Sequence, residues 1–159
     1  MRCDAHTFAQ MYKTVYIDLY RFALCLMKNK QDAEDAVGEA VLKAYENIRK
    51  LNDENAFKSW IFTITANTCK RKLKEAAKRK NESIENTLTD TAAGAVDYEM
   101  SMDVRRAFTV LDEEEQMIIG LSVFGGYNSK EIGRMLGIKD NTVRSKKLRA
   151  LEKMECVLK

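Results

Sequence analysis

Residues 126–154 read GYNSKEIGRMLGIKDNTVRSKKLRALEKM, and this stretch decides the fold class of the C-terminal part of the chain. Asn128 followed by Glu131 has the spacing of a capping box, which predicts the start of a short helix. Gly137 can adopt the left-handed conformation that ends such a helix. Asp140 is placed to cap the next helix. Two helices joined by a short glycine-containing turn predict a helix-turn-helix.

The second helix of this hairpin has two unlike faces on a helical wheel. Val143, Ala150, Leu151 and Met154 gather on one side, and we expect them to be buried. Lys147 also falls on that side, where its aliphatic stem can lie on apolar surface. The opposite side and its flanks carry groups that can read base edges or bind phosphates in the major groove: Asn141, Thr142, Arg144, Ser145, Lys146, Leu148 and Arg149.

A solvated basic helix pair is the simpler alternative for this hairpin. The glycine position, the caps and the wheel agree with one another, and together they favour DNA binding over that alternative.

Composition favours a helical chain outside the hairpin as well. The 159 residues include no proline and only 7 glycines, which disfavours an all-β fold with many tight turns. The net charge is only +3, so the distribution of charge is more informative than its sum. No apolar run approaches the ~18 residues of a membrane helix, and the N-terminus lacks a signal-peptide core. We therefore expect a cytoplasmic protein that is not itself a membrane protein.

The residues that usually carry catalysis or metal binding are few and scattered. Four cysteines occur without a C-x-x-C pair, which predicts reduced thiols. Cys3 and His6 form a lone C-x-x-H, without the second pair that a zinc site requires. The chain has one histidine and no nucleophile, paired-carboxylate or glycine-rich phosphate-loop motif. We therefore expect no enzyme activity, no metal and no cofactor.

The N-terminal half predicts three amphipathic helices, over residues 5–28, 32–49 and 56–79. Their apolar residues recur mostly at three- and four-residue steps, as expected for helices that bury one face. Short polar turns separate them. Three helices with short connections predict a compact all-α domain over residues 1–80.

Residues 81–103, NESIENTLTDTAAGAVDYEMSMD, differ in composition from both flanks. They contain acidic residues but no lysine or arginine, and little periodicity. We expect an acidic, flexible linker; a mere spacer is the simpler alternative. Helices are predicted after it over 104–110 and 113–124, the second capped by Asp112. Residues 104–159 therefore predict a second small helical domain.

Two helices of the N-terminal domain carry opposite charges. The second begins with Asp32, Glu34 and Asp35 and continues with Glu39, which suits a basic protein partner, although first-turn acids also suit the helix dipole. The third joins aromatic residues to a basic run, a combination typical of single-stranded DNA binding. A core position for Trp60 and a solvated face for the lysines are the simpler alternatives. The aromatic residues are Phe57, Trp60 and Phe62.

Three stretches together resemble the sigma-70 family, and more closely its two-domain extracytoplasmic-function (ECF) sigma factors. They are DAEDAVGEAVLKAYENI (32–48), FKSWIFTITANTCKRKLK (57–74) and LDEEEQMIIGLSVFGGYNSKEIGRMLGIKDNTVRSKKLRALEKM (111–154). The resemblance covers nearly the whole chain, and the order and spacing of the motifs are more specific than any one of them. It implies an all-α fold of sigma region 2 and sigma region 4 domains.

The resemblance also implies partners. Such a protein binds core RNA polymerase, with Asp32, Asp35, Glu39 and Lys43 docking on the clamp helices of the β′ subunit. Region 4 would contact the β flap, and the linker would thread towards the RNA exit path. An anti-sigma factor, often membrane-anchored, would mask both domains.

For promoter DNA, the resemblance implies two contact surfaces. The helix-turn-helix would read the −35 element as duplex through the residues of its second helix given above. The loop and helix around Trp60 would recognise and open the −10 element and hold an unstacked base. The −10 residues would be Asn52, Asp53, Glu54, Asn55, Phe57, Lys58, Trp60, Asn67, Lys70, Arg71 and Lys74.

Four residues depart from the family pattern. Gly38 stands where glutamine is frequent, Tyr45 where tryptophan is frequent, Arg71 where an acid is common, and Lys147 where an apolar residue is usual. These departures bear on individual contacts and on the promoter sequence that is preferred.

Two other functions are compatible with the same helices. A stand-alone regulator with a helical sensor domain would bind its operator without polymerase. A helical adaptor would hold polymerase or an anti-sigma partner and would not need the cations of the second hairpin helix.

Overall fold

The computed structural model describes residues 4–82 and 101–158, and all regular elements within these ranges are helical. The all-α prediction is therefore confirmed. Cys3 and most of the predicted linker lie outside the described residues. The helices are α1 (Ala5–Met27), α2 (Lys30–Glu46), α3 (Phe57–Glu82), α4 (Met102–Thr109), α5 (Glu113–Val123), α6 (Ser129–Leu136) and α7 (Asp140–Leu158), with 3₁₀ turns at Ile48–Lys50 and Glu54–Ala56.

Helices α1, α2 and α3 pack against one another as the first domain. Asn29 caps α2: its side-chain oxygen accepts from the Asp32 amide at 2.8 Å, and its side-chain nitrogen donates to the Asp32 carboxylate at 2.7 Å. The small residues Ala33, Ala36 and Ala40 are fully buried, which lets α2 approach its neighbours closely. This packing leaves the charged face of α2 in solvent.

Helices α4 to α7 form the second domain, in which α7 packs on each of the other three. Asp112 and Glu115 close a capping box at the start of α5, as the predicted Asp112 cap requires. The element bounds differ slightly from the predicted ones. Helix α3 continues to Glu82, beyond the predicted domain end, and α4 begins at Met102 because Ser101 accepts from the Val104 amide at 3.2 Å.

The two domains are also in contact with each other, which the sequence patterns did not predict. Gly120 of α5 lies against Phe22 of α1 so closely that a Cβ atom at residue 120 would be 2.5 Å from the Phe22 ring. The rings of Phe62 and Tyr127 meet edge to face, with centroids 5.8 Å apart. Phe22 and Phe62 also contact each other, at 5.7 Å. We call this contact of Phe22, Phe62, Gly120 and Tyr127 the domain seam.

Candidate DNA and polymerase interfaces

The predicted helix-turn-helix is formed by α6 and α7. Asn128 and Glu131 close the predicted capping box at the start of α6, and Gly137 ends that helix with φ of +73°. A Cβ atom at Gly133 would be 2.7 Å from the Ile138 carbonyl oxygen, so only glycine lets the turn fold back this tightly. Asp140 is the first residue of α7 rather than its cap, because the preceding carbonyl already accepts the Val143 amide at 3.0 Å.

The exposed face of α7 carries most of the residues predicted to contact the −35 element. Asn141, Arg144, Ser145 and Arg149 are exposed, and Leu148 is 60% exposed. Thr142 is half-buried on the flank. An exposed leucine among cations and hydrogen-bonding groups is what contact with a thymine methyl and neighbouring base edges requires.

The buried stripe of α7 differs from the predicted one at one residue. Val143 and Ala150 are fully buried, Met154 and Lys147 are half-buried, and Leu151 is 45% exposed. Leu151 was predicted to be buried, and that prediction is wrong. The stripe follows steps of four, three and four residues, so Leu151 lies one position past its edge while the stem of Lys147 lies within it.

Two lysines fix α7 against the first turn of α5. The Lys146 ammonium is 3.0 Å from the Glu114 carboxylate, whose hydrogen bond and charge raise the pKa of Lys146. The Lys153 ammonium donates to both oxygens of Glu115, at 2.8 and 3.0 Å, and the Glu115 side chain is only 5% exposed. Lys146 was predicted as a −35 contact, which stays a prediction; in this arrangement its ammonium is paired with Glu114 of α5.

On the first domain, the loop before α3 carries the first group of predicted −10 residues. Asn52, Asp53, Glu54 and Asn55 are all exposed. Asp53 caps the turn by accepting from the Asn55 amide at 3.0 Å. An open cavity of about 490 Å³ adjoins this loop and is lined in part by Gln10, Met11, Glu54, Asn55, Phe57 and Lys58.

The aromatic residues of α3 differ in their access to solvent. Trp60 is half-buried, whereas Phe57 is 3% exposed and Phe62 is fully buried. The Phe57 ring lies 5.5 Å from Phe8 and 6.3 Å from Trp60, so it supports Trp60 from beneath. The prediction that Phe62 meets bases is wrong for this arrangement, because its ring is fully buried. Phe57 reaches the surface only where it lines the open cavity beside the loop, and its contact with a base stays a prediction.

Further along α3 the predicted cations divide into two groups. Lys70 and Lys74 are exposed, with Asn67 on the same helix. Arg71 instead pairs with Glu75 at 2.9 Å and contacts the carboxylate of Glu39 on α2.

The carboxylate of Glu39 has a second partner, the Lys72 ammonium, at 3.0 Å. The hydrogen bond from Lys72, together with the charges of Lys72 and Arg71, lowers the pKa of Glu39. The predicted −10 residue Arg71 and the predicted polymerase residue Glu39 therefore meet at the boundary between the two surfaces.

The outer face of α2 is available to a partner. Asp32, Asp35, Glu39 and Lys43 are all exposed, as the polymerase prediction requires. Leu42 lies among them, 59% exposed, so an apolar side chain stands within an acidic face. Gly38 has open space beyond its Cα atom.

Two family models match the chain, and their boundaries follow the two domains. The sigma-70 region 2 model matches residues 11–79, and the sigma-70 region 4 model matches residues 101–154. The RNA polymerase sigma factor SigV of Bacillus subtilis is 31% identical over 144 residues, covering 89% of this chain and 84% of SigV. The ECF RNA polymerase sigma factor SigM of Mycobacterium tuberculosis is 26% identical over 155 residues, covering 98% of this chain and 79% of SigM.

The chain belongs to the sigma-70 family and is an ECF sigma factor. This ECF sigma factor directs promoter-specific transcription initiation as a non-catalytic subunit of RNA polymerase. Its fold is that of the sigma factor RpoE of Bartonella quintana, solved in complex with the anti-sigma factor NepR. The TM-score is 0.82 at 22% identity, over 95% of this chain and 96% of RpoE. Within the described ranges, no helix is long and apolar enough to cross a membrane.

Sequence reasoning missed two features of this ECF sigma factor, the domain seam and the Lys153–Glu115 pair. Gly120 was a usable signal for the seam, because glycine inside an apolar helical stretch costs about 1 kcal/mol relative to alanine. Such a residue points to close approach by another element. The Lys153–Glu115 pair joins residues 38 positions apart, and only the packing of α7 on α5 brings them together.

Proposed function

We propose that this ECF sigma factor divides initiation between its domains. Residues 1–80 bind the polymerase and open the −10 element, and residues 104–159 hold the −35 element as duplex. Residues 81–103 join them as an acidic linker that follows a channel built for nucleic acid towards the RNA exit path.

The polymerase contact is assigned to the outer face of α2. Asp35 and Glu39 lie on one exposed face with Lys43, and Asp32 stands at its beginning. Acidic groups around the exposed Leu42 suit a basic partner helix, because charge steers the encounter and the apolar side chain is buried on contact. The β′ clamp helices are the proposed partner. Gly38 leaves room on this face for a partner side chain.

The −10 contact is assigned to the loop Asn52–Asn55 and the exposed side of α3. An unstacked base of the non-template strand would enter the open cavity beside the loop, where the carboxylate and amide groups of Glu54 and Asn55 can bond to its edge. Trp60 supplies a stacking surface and Phe57 supports it. Asn67, Lys58, Lys70 and Lys74 would bond to the backbone, and Arg71 would join them on release from Glu39.

The −35 contact is assigned to the exposed face of α7. Arg144, Ser145, Leu148 and Arg149 would read base edges, with Asn141 and Thr142 at the helix start near a phosphate. Lys146 and Lys153 would set the angle at which α7 enters the groove, because both tie it to α5. The same domain would contact the β flap.

A small sigma factor with few stacking contacts is expected to require a close match to its −10 element. Each stacked base contributes roughly 1–3 kcal/mol, so losing one of a few is severe. Single-round transcription from −10 variants measures this requirement, and near wild-type transcription from mismatched variants would contradict it.

An anti-sigma factor is proposed as a further partner, and the cytoplasm as the place of action. RpoE of Bartonella quintana, which shares this fold, was solved with its anti-sigma factor NepR. Masking of both domains by such a partner would keep the factor from polymerase until it is released.

The observation that carries the proposal is the exposed acidic face of α2 within the same helical bundle as the Trp60 surface. A stand-alone regulator needs its helix-turn-helix, but it does not need an acidic docking face beside a single-strand surface. A pure adaptor, in turn, does not need the exposed cations of α7.

Run-off transcription with purified core polymerase on a genomic fragment library tests the proposal. We expect defined start sites only when the chain and the core enzyme are both present, with shared −35 and −10 sequences upstream. Duplex binding of equal sequence specificity with and without polymerase, and no transcript, would instead indicate a stand-alone regulator.

A further inference from the structure

A cavity between the end of α1 and helix α4 has a lining that suits a small ligand. Its volume is about 490 Å³, within the roughly 300–1,000 Å³ of small-molecule sites. We propose that this cavity, which has an apolar floor and a cationic rim, binds a small amphipathic carboxylate of the fatty-acid class. None of its described lining residues belongs to the proposed DNA or polymerase surfaces, so ligand binding here goes beyond the proposed function and does not depend on it.

The floor of the cavity is formed by the buried members of its lining, and it is apolar. Leu24, Cys25 and Phe108 line the cavity and are at most 5% exposed. The Phe108 ring is stacked on Phe124, with centroids 6.4 Å apart, so this part of the floor is fixed by packing. Met102 lines the rim and is 71% exposed, which leaves a large apolar side chain in water. An alkyl body in the cavity would cover this surface, and such burial is the main source of affinity for apolar ligands.

The rim of the cavity carries more positive than negative charge. Three cations line it, Lys28, Arg105 and Arg106. Among the described lining residues, the one carboxylate is that of Asp103, which lies 3.8 Å from the Arg106 guanidinium. Both side chains of this pair are more than 60% exposed, so their attraction is weak. Arg106 also donates to the Val157 carbonyl oxygen at 3.4 Å, a neutral partner that leaves its charge uncompensated. The rim therefore favours an anion, and the floor favours an apolar body.

Lys28 has a backbone conformation that favours glycine. It ends α1 with φ of +69°, and its amide donates to the Leu24 carbonyl oxygen at 2.8 Å. Within the described ranges it is the only residue other than glycine with a positive φ. This conformation is strained for a residue that has a Cβ atom, whereas glycine adopts it freely. A lysine here lowers local stability relative to glycine, as expected of a side chain that serves binding.

Two pairs of variants separate the charge of the rim from the space in the cavity. Lys28→Gly removes the ammonium and relieves the strain of the left-handed backbone, so it should not weaken the fold. Lys30→Gly removes a nearby exposed ammonium that does not line the cavity, and it is the control for charge. Thr109→Trp places an indole at the rim without a change of charge. Val110→Trp makes a similar addition at the next residue, which is exposed and does not line the cavity.

Fluorescence titration of the full chain, without polymerase or DNA, measures ligand binding. Anilinonaphthalene sulfonate is the anionic probe, because its emission rises in an apolar site, and phenylnaphthylamine is the matched neutral probe. We expect saturable binding of one anionic probe per chain, which decanoate displaces at lower concentration than decanol. Lys28→Gly should weaken binding of the anionic probe roughly two- to fivefold, the range of an exposed charge pair, and leave binding of the neutral probe unchanged. Thr109→Trp should abolish binding of both probes.

The control variants Lys30→Gly and Val110→Trp should bind both probes as wild type does, with unchanged helical circular dichroism. Binding that does not saturate, or that is undiminished in Thr109→Trp, would overturn the proposal, because the amphiphile would then lie elsewhere on the chain. No binding by wild type would also overturn it and would leave the cavity to a protein segment. Equal weakening by Lys28→Gly and Lys30→Gly would show that the rim does not select the anion. Lys28→Gly decides this point even if Thr109→Trp does not fold, because it adds no atoms to the cavity.

Discussion

The two proposed DNA-reading regions differ in how they are held. The face of α7 is prepared by contacts inside its own domain: two capping boxes, the Gly137 turn and the lysine pairs to Glu114 and Glu115. The region around Trp60 consists of an open loop and a cavity between α1 and the start of α3, and the second domain lies beside it. The face of α7 is therefore formed before DNA binds. The surface around Trp60 is open, and its binding site is complete only when an unstacked base is present.

This difference indicates which step of initiation the contacts of each region stabilise. A preformed helix can bind duplex DNA as a rigid body, with little reorganisation. A surface for unstacked bases has no target until the duplex opens, so its contacts contribute only after strand separation. We therefore expect substitutions in α7 to reduce promoter affinity and substitutions near Trp60 to reduce opening.

The largest expected effect is that of Arg149→Glu. Reversing an exposed cation on the reading face should reduce −35-dependent transcription roughly 100-fold, because a base contact is lost and a charge repelled by phosphate is added. Binding to core polymerase should not change. Run-off transcription and a core-binding titration measure the two quantities.

Arg149→Lys is the matched variant, because it keeps the charge and removes the planar guanidinium. Retained activity with lysine would assign Arg149 to a phosphate, and loss would assign it to a base. Unchanged transcription with Arg149→Glu would contradict the proposal that α7 reads the −35 element, and it would favour the adaptor function.

The next effect is that of Trp60→Ala on strand opening. Trp60 is half-buried, whereas the other two aromatic rings of α3, Phe57 and Phe62, are buried. Its removal should reduce open-complex formation roughly tenfold, while the affinity for closed duplex stays the same. Permanganate footprinting and duplex binding by the holoenzyme measure the two steps. Trp60→Phe should restore most of the opening; equal losses in both steps would make Trp60 a core residue only.

A smaller effect, on stability, separates the neighbours Glu115 and Glu114. Glu115→Ala should lower the free energy of unfolding of the second domain by about 2 kcal/mol, because a buried carboxylate, its cap and its lysine partner are lost together. Glu114→Ala should change stability far less, since its carboxylate is 44% exposed. Urea denaturation measures both, and equal losses would contradict the proposed anchoring of α7 through Glu115.

The smallest effect concerns Glu39, between the polymerase face and the −10 helix. Its folded-state pKa lies below the ordinary value of 4.5, so its stabilisation is present above pH 4.5 and is lost as pH falls through the folded-state value. We expect Glu39→Gln to be slightly less stable than wild type at neutral pH and equal to it in acid.

Denaturation midpoints at neutral pH and at steps below pH 4.5 measure this difference. Glu46→Gln, exposed on the same helix, is the control. A deficit for Glu39→Gln that does not depend on pH would show that the ion pair with Lys72 is not its cause.

Much of the fold was predictable because it depends on local rules. Asn128, Glu131, Gly137 and Asp112 act on neighbours within a few residues, and all four have the predicted roles. Leu151 shows where this reasoning ends: a wheel gives the direction of a side chain, but the position of neighbouring helices decides which directions are covered.

The sequence by itself determined the all-helical class, the two domains and the sigma-factor family, because periodicity, caps and motif spacing are properties of short stretches. Only the tertiary structure decided the partners of charged and aromatic side chains that are distant in the chain. Lys153 pairs with Glu115, Arg71 pairs with Glu39, and Phe22 packs against Gly120 across the domain seam. The physical reason is that such contacts depend on how whole helices pack, and many residues spread along the chain set that packing together.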